Sequence, residues 1–405
     1  MGEPQLDRNM PSEWVLLIIC LIPMASGGTT APPLSASPIV FARNLFRAVN
    51  DVDPPVNMMV SPAAARSAMT LVFMGAGGKS ADELRSKLIL GVGNKSKIAE
   101  HHAETWSEEC SCVKKGVALR LVTRLYFNEE EKILPDFNTR AMEFFNAQAD
   151  PLNYLNPEDS VKKVNKWLAK QTFYTVRNLF TPDVFSLESS VILVNSLFFR
   201  AKWANVFPEQ LTKVDDFWIN PLQRMELPMM QQIGKFRYGE SKKLKSQILQ
   251  LPFEKSNLTM MIILPRDIDG LPKLEEKLGQ LDMNEVAAKS LMNDVDVIIP
   301  KFRIEFNIDL KVPLQKLGIN RVFEPGQADL SGLFGKKSLQ RISEARHSLF
   351  LNVNETGCET GPETDVQPEV VKDNPDRKVF KADRPFVFAI RNKKNVYFVG
   401  HFIKP

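Results

Sequence analysis

Four cysteines in 405 residues are too few for a disulfide scaffold. Cys20 lies in an apolar run near the N-terminus, which leaves Cys110, Cys112 and Cys358. Cys110 and Cys112 stand too close to bridge each other without strain. Histidine is equally scarce: His101, His102, His347 and His401 are the whole set. No Gly-x-Ser-x-Gly elbow, His-Glu-x-x-His or paired Cys-x-x-Cys occurs. Hydrolytic and zinc-dependent catalysis therefore have no motif to rest on, and neither a metal, a cofactor nor enzymatic activity is expected. No charge sign dominates, since 52 Lys and Arg face 48 Asp and Glu for a net +4. The charges are interspersed, which argues against nucleic acid as a partner. Residues 38–405 hold no Gly/Ser-rich or Pro-rich linker and no internal repeat, so one large domain is expected there. No stretch after the N-terminus approaches the length of a membrane span, and no membrane association is expected.

What is present begins with a leader. Trp14 to Met24 is an apolar run followed by Ala25-Ser26-Gly27-Gly28, which reads as a secretory signal peptide over residues 1–27. The residues before it are unusual for a leader, with Glu3, Asp7 and Glu13 against Arg8, and Met10 is an alternative start. A flexible segment is expected over 28–37, and a secreted, extracellular protein overall. The sequons at Asn94 and Asn257 fit secretion and would be glycosylated if exposed. A third, at Asn354, lies at a strand end where burial would block it.

Helical spacing of apolar residues predicts helices over 38–49, 136–145 and 157–170. Ser61-Pro62 opens another that ends at Gly75-Ala76-Gly77-Gly78, with Ser as cap and Pro at the first helical position. Ser80 with Glu83 three residues on predicts a capping box for a helix over 80–88. Residues 98–112 read as an acidic helix. Strands are predicted over 119–127 and 191–199. From about Phe236 onward strands dominate, over 247–251, 260–264, 295–299, 302–306, 349–353, 386–390 and 396–402, with helices at 271–278 and 310–317. Helices early and strands late argue for an α+β fold with mostly antiparallel sheets.

Two features invite chemistry and are better explained otherwise. Gly75 to Ser80 looks like a phosphate loop, but Phe73 stands where the pattern needs glycine and a helix, not a strand, precedes it. Lys162, Lys163, Lys166 and Lys170 flank Trp167 on one helix and read as a solvated face rather than a polyanion site.

The remaining feature is the stretch from Asn352 to Ile390. Between two strands it runs more than twenty residues with almost no apolar periodicity, and such loops in compact domains are usually functional. Its flanks belong to a set of separated segments that together resemble serpins. They are Asn57-Met58-Met59-Val60-Ser61-Pro62, then Leu193 to Trp203 with Phe207, then Pro300-Lys301-Phe302. Next come Leu317-Gly318-Ile319, Ala328 to Gly332, and Ile342-Ser343 with His347. Val353-Asn354-Glu355 and Phe380 to Phe388 complete the set. In this order and spacing the resemblance covers about residues 38–403.

The resemblance implies three sheets, eight or nine helices and a metastable native state, normally monomeric. Its partner would be an extracellular serine protease that cuts the exposed loop, about 355–379. The cut loop then inserts as a central strand of the largest sheet and drags the acylated protease with it. Ser61, Asn195 and His347 match the polar cluster, or shutter, under the opening sheet. The loop spacing places the scissile bond at Val371-Lys372 or Lys372-Asp373, the latter suited to a trypsin-like protease. The helix that binds heparin in some relatives falls near 98–112 and carries Glu100, Glu104, Glu108 and Glu109 here, so heparin is not an expected partner.

The hinge departs from the family. Inserting loops start with small residues, mostly Ala. Here Glu355, Gly357, Cys358 and Glu359 lead into Thr360-Gly361-Pro362-Glu363. Pro362 has no N–H, and proline is essentially excluded from central strands. Gly361 adds backbone entropy to be lost. By strand alternation Cys358, Thr360 and Pro362 share one face, and Glu359, Gly361 and Glu363 the other. Poor insertion is expected, with cleavage as a substrate; the alternative is slow but sufficient insertion and inhibition.

Overall fold

The computed structural model describes residues 37–51, 56–111, 117–174, 176–186, 188–336, 339–358 and 374–404. The described elements begin with α1 (Ser37–Asn50), the short strand β1 (Met58–Val60), α2 (Pro62–Gly75), α3 (Gly78–Lys87) and α4 (Lys95–Ser111). Then come β2 (Val117–Asn128), α5 (Pro135–Phe145), β3 (Gln148–Leu152), α6 (Pro157–Gln171) and β4 (Val191–Lys202). Strands β5 (Lys213–Asn220), β6 (Gln223–Ser241), β7 (Ser246–Pro252) and β8 (Thr259–Pro265) follow. After α7 (Leu271–Leu278) and α8 (Met283–Ala288) lie β9 (Leu291–Pro300), β10 (Phe302–Asp309), α9 (Lys311–Lys316) and α10 (Ser331–Phe334). The last elements are β11 (Ile342–Val353), β12 (Gly357–Cys358), β13 (Lys378–Lys381), β14 (Phe386–Arg391) and β15 (Val396–Phe402).

Among the described residues the strands form two hydrogen-bonded sets. One is a six-stranded sheet in the order β10-β11-β12-β4-β2-β3. The other runs β1-β15-β14-β8-β7-β6-β9-β13, with β5 also on β6. β6 serves two sheets in one strand: its residues 223–229 pair with β5, 229–238 with β9 and 237–241 with β7. That shared strand joins what would otherwise be a second and a third sheet. Residues 34–405 fall in one unit.

α2 is the helix around which the sheets pack. Ser61 caps it, with its Oγ accepting from Ala64 N–H at 3.2 Å, and Pro62 occupies the first turn. Its small residues Ala64, Ala65, Ser67 and Ala68 are buried, so neighbouring strands approach closely. Val191, Leu193, Leu197, Phe199 and Ala201 of β4 face this inner core, whereas Ile192 and Val194 face α6 through Val164 and Leu168. Each large apolar side chain buried this way contributes about 1.5–3 kcal/mol.

One local expectation fails. α3 starts at Gly78, not Ser80, and its cap, Gly77, has no side chain to offer. Ser80 Oγ instead accepts from Asp329 N–H at 3.0 Å, and Glu83 Oε1 accepts from Asn320 and Arg321 N–H at 2.7 and 2.8 Å. The two residues tie the helix to a distant segment rather than capping it. The four α6 lysines are exposed, as a solvated face should be.

Candidate functional site

β4 and β11 run parallel and pair directly from Val191–Ile342 to Leu197–Leu349. Beyond that pair they separate, and β12 lies between them. Cys358 is opposite Val353 on one side and Ala201 on the other, and Gly357 is opposite Lys202. The sheet is thus already parted over 350–353 and 198–202, with two hinge residues in the gap. Cys358 is a buried thiol rather than half of a disulfide.

The turn into β12 is tightly fixed. Asn354 Oδ1 accepts from Thr356 N–H at 3.1 Å and Gly357 N–H at 3.0 Å, and Asn354 N–H donates to Gly357 O at 3.0 Å. Trp203 donates its indole N–H to Asn354 O at 2.9 Å and its backbone N–H to Thr356 O at 2.9 Å. Glu355 is buried within 2.9 Å of Lys301 Nζ, and the Thr212 hydroxyl donates to it at 2.8 Å. Burial pushes its carboxyl up, but the lysine and the hydroxyl overcome that and hold it below the ordinary range. Gly357 is required by contact: a Cβ there would lie 2.0 Å from Ala201 O.

The structure brings Ser61, Asn195 and His347 together below the parted end. His347 and Asn195 are register partners on β11 and β4, with Nδ1 2.8 Å from Oδ1. His347 Nε2 accepts the backbone N–H of Ser61 at 3.0 Å, so Nδ1 carries the proton and donates to Asn195. Asn195 Nδ2 in turn donates to Thr123 Oγ1 on β2 at 2.9 Å. One imidazole therefore links the start of α2 to both strands of the gate. Burial pushes its pKa down to about 3.

The loop returns at Asn374, whose Nδ2 donates to Asp294 Oδ2 at 2.7 Å, with Arg377 Nε 3.3 Å from Oδ1. The Asn374 amide is the main reason the Asp294 carboxyl lies below its usual range. β13 then pairs in parallel with β9.

Of the residues singled out in the sequence, Glu355, Gly357 and Cys358 are in this hinge, while Glu359, Thr360, Gly361, Pro362 and Glu363 lie outside the described residues. So do Val371, Lys372 and Asp373. Asn94 and Asn257 are exposed. Sequence reasoning missed the anchoring roles of Trp203, Thr212, Lys301, Thr123 and Asp294. Trp203 and Lys301 were visible as parts of motifs, but their contacts run 151 and 54 residues along the chain, and no local pattern signals them.

This geometry can be set beside known proteins. The family model described as Serpin (serine protease inhibitor) matches residues 36–405. Serine protease inhibitor 42Dd of Drosophila melanogaster is 32% identical over 90% of this chain and 95% of its own. Leukocyte elastase inhibitor of Bos taurus is 33% identical over 92% of this chain and 99% of its own. The crystal structure of Serpin48 from Tenebrio molitor superimposes with a TM-score of 0.83 at 28% identity, over 94% of this chain and 100% of that one. The parted sheet and the polar cluster beneath it are thus found in a chain that belongs to the serpin family.

Proposed function

We propose that this protein is a secreted serpin whose loop is cut as a substrate and which traps serine proteases weakly or not at all. The register around β12 carries this reading. β12 runs antiparallel to both neighbours, so each step along the loop is one step back along β4 and β11. Continued in that register, Glu359, Thr360 and Gly361 would enter the gap already open. Pro362 would be the first residue to meet a closed pair, Leu197–Leu349. Thr356 turns its carbonyl to Trp203 and Gly357 turns its own to Asn354, so even-numbered loop residues face β4. Pro362 would stand against Leu197 with no N–H to give. A buried carbonyl left without its donor costs about 1–3 kcal/mol. Glu363 would follow on the other face beside Ser196 and Ser348, both buried, where its carboxylate must shed water. Insertion must outrun deacylation, and about 1.4 kcal/mol is a factor of ten in rate.

A second reading, suicide inhibition of a trypsin-like protease cleaving near Lys372, is favoured by a different observation: the hinge is already seeded, and three more residues fit without further parting. The inhibitor names of its relatives agree with it. The leader and the exposed sequons at Asn94 and Asn257 support secretion and glycosylation. Exposed Glu100 and Glu104 on α4 leave heparin without a basic face, and the scaffold acts as a monomer.

Incubation with trypsin-, chymotrypsin- and elastase-like proteases separates the readings. The expected result is a nicked chain, little change in Tm after cleavage, and no SDS-stable complex. A stable complex with any of the three establishes the second reading and removes the first.

A further inference from the structure

The chain leaves α6 through a sharp elbow. Phe173 and Tyr174 both adopt left-handed backbone, with φ of +50° and +61°. Bulky side chains rarely stand in that region, and holding them there costs free energy. The elbow is nonetheless firmly braced. Tyr174 N–H donates to Ala169 O at 2.6 Å, and the buried Thr172 hydroxyl donates to Leu168 O at 2.8 Å and accepts Val176 N–H at 3.2 Å. Asn165 fastens the following segment to α6, donating to Phe180 O and accepting Phe180 N–H, each at 3.0 Å.

Burial does not explain the strain, because both residues remain 61% exposed. Phe173 leans on Phe198 of β4 with ring centroids 4.8 Å apart, which sets its direction and leaves most of it in water. Two guanidinium groups flank the pair, each 5.8 Å from a ring centroid. Arg120, tied to Gln171, lies over Phe173. Arg177 lies over Tyr174 and donates to its carbonyl at 2.8 Å. The exposed Lys163, Lys166 and Lys170 carry the positive charge back along α6. Among the described residues no carboxylate pairs with these three lysines or with Arg177. The acids of α6, Glu158 and Asp159, stand in its first turn, at the end away from the elbow.

We propose that the Phe173–Tyr174 elbow and the lysine face of α6 form a peripheral docking surface for an anionic phospholipid membrane. Exposed aromatic rings among cations suit the boundary of a bilayer, where rings enter the headgroup layer and cations meet its negative charge. Each such cation strengthens attachment to an anionic leaflet about fivefold, and salt screens the effect. A soluble polyanion would be held by the lysines and arginines alone, and would give no reason for aromatic side chains in left-handed backbone. No spanning segment is needed for a contact of this kind. The surface is complete in the described residues and does not depend on whether the loop inserts.

Co-sedimentation of the full chain with phosphatidylcholine vesicles, with and without phosphatidylserine, tests the surface. Binding to the phosphatidylserine vesicles is expected, weakening at high salt and at least about tenfold weaker on phosphatidylcholine alone. Lys166→Glu with Lys170→Glu should weaken it at least about twentyfold. Phe173→Asn with Tyr174→Asn should weaken it about tenfold at unchanged charge. Tyr174→Asn alone separates binding from folding. Asparagine tolerates left-handed backbone, so Tm should hold or rise while vesicle binding falls several-fold. Absence of binding to phosphatidylserine vesicles overturns the proposal, as does equal binding to phosphatidylcholine. Undiminished binding in the asparagine variants also overturns it, and would make the face a site for polyanions in general. If the double asparagine variant does not fold, Tyr174→Asn and the two vesicle compositions still decide.

Discussion

Lowering the pH from 7 to 5 is expected to weaken the native sheet through His347. The imidazole is about 1% exposed, and its partners are a backbone N–H and a neutral amide. Burial lowers its pKa from 6.5 to about 3. Below pH 6.5 the unfolded chain takes up a proton that the native protein refuses until near pH 3. The contribution is therefore complete above pH 6.5 and is lost as the pH falls. At pH 5 the loss comes to about 2 kcal/mol, from roughly 1.4 kcal/mol per pH unit. His347→Gln keeps an acceptor for Ser61 and a donor for Asn195 but cannot titrate. Urea denaturation of both proteins at pH 7 and pH 5 reads the difference directly. His102 titrates in both and cancels. The wild type should lose about 2 kcal/mol more than the variant. Equal losses would show that His347 is not held neutral at the gate.

Three further outcomes follow from the hinge and its anchors. Gly357→Ala, whose Cβ would meet Ala201 O, should expel β12 and make the Cys358 thiol react with a disulfide reagent many-fold faster, against a Cys358→Ser background control; unchanged reactivity would mean the hinge tolerates the methyl. Lys301→Met strands the buried Glu355 carboxylate and should cost about 2–3 kcal/mol in urea melts, with most of it recovered in the double variant with Glu355→Gln. Asp294→Asn loosens the anchoring of Asn374 and Arg377; being only half-buried, it should cost under about 1 kcal/mol yet raise the rate of loop cleavage several-fold.

Much of this architecture was legible because its signals are local. The Ser61-Pro62 start of α2, the apolar run of β4 and the alternation of β14 and β15 each announce themselves within a dozen residues. The missed elements are those whose reasons lie elsewhere. β3 carries Pro151, which reads as a strand breaker, yet among the described residues β3 sits at an edge and pairs only with β2. The first half of β6 is polar because much of it is exposed, and its strand form comes from pairing with β5 and β9. Ser80 and Glu83 match a capping box in spacing, but partners beyond residue 319 outcompete the local cap. At the site, the family resemblance, not any local pattern, is what groups Ser61, Asn195 and His347. Nothing local could say where β4 and β11 stop pairing, and that position decides which loop residue meets the closed gate.

On the proposed reading, the position of that closed pair would also locate the obstacle to insertion. In the register of β12, Thr364 would arrive level with Asn195 and His347, two residues past Pro362. Its hydroxyl both donates and accepts, so it can replace the His347–Asn195 hydrogen bond that its own entry breaks. On that reading the shutter would be matched to the incoming strand, and the mismatch would lie just before it, at Pro362 and Glu363. Pro362→Ala with Glu363→Ala should restore about 2–4 kcal/mol to the inserting chain, or roughly one to three powers of ten in the ratio of trapped to cleaved product. Thr364→Val in that background should take part of the gain away, because the separated His347 and Asn195 then lack a bridging hydroxyl. Densitometry of SDS-stable complex against nicked chain measures both effects. If the double variant remains a pure substrate, the barrier is not at Leu197–Leu349, and the register drawn from Gly357 and Cys358 does not continue into the loop.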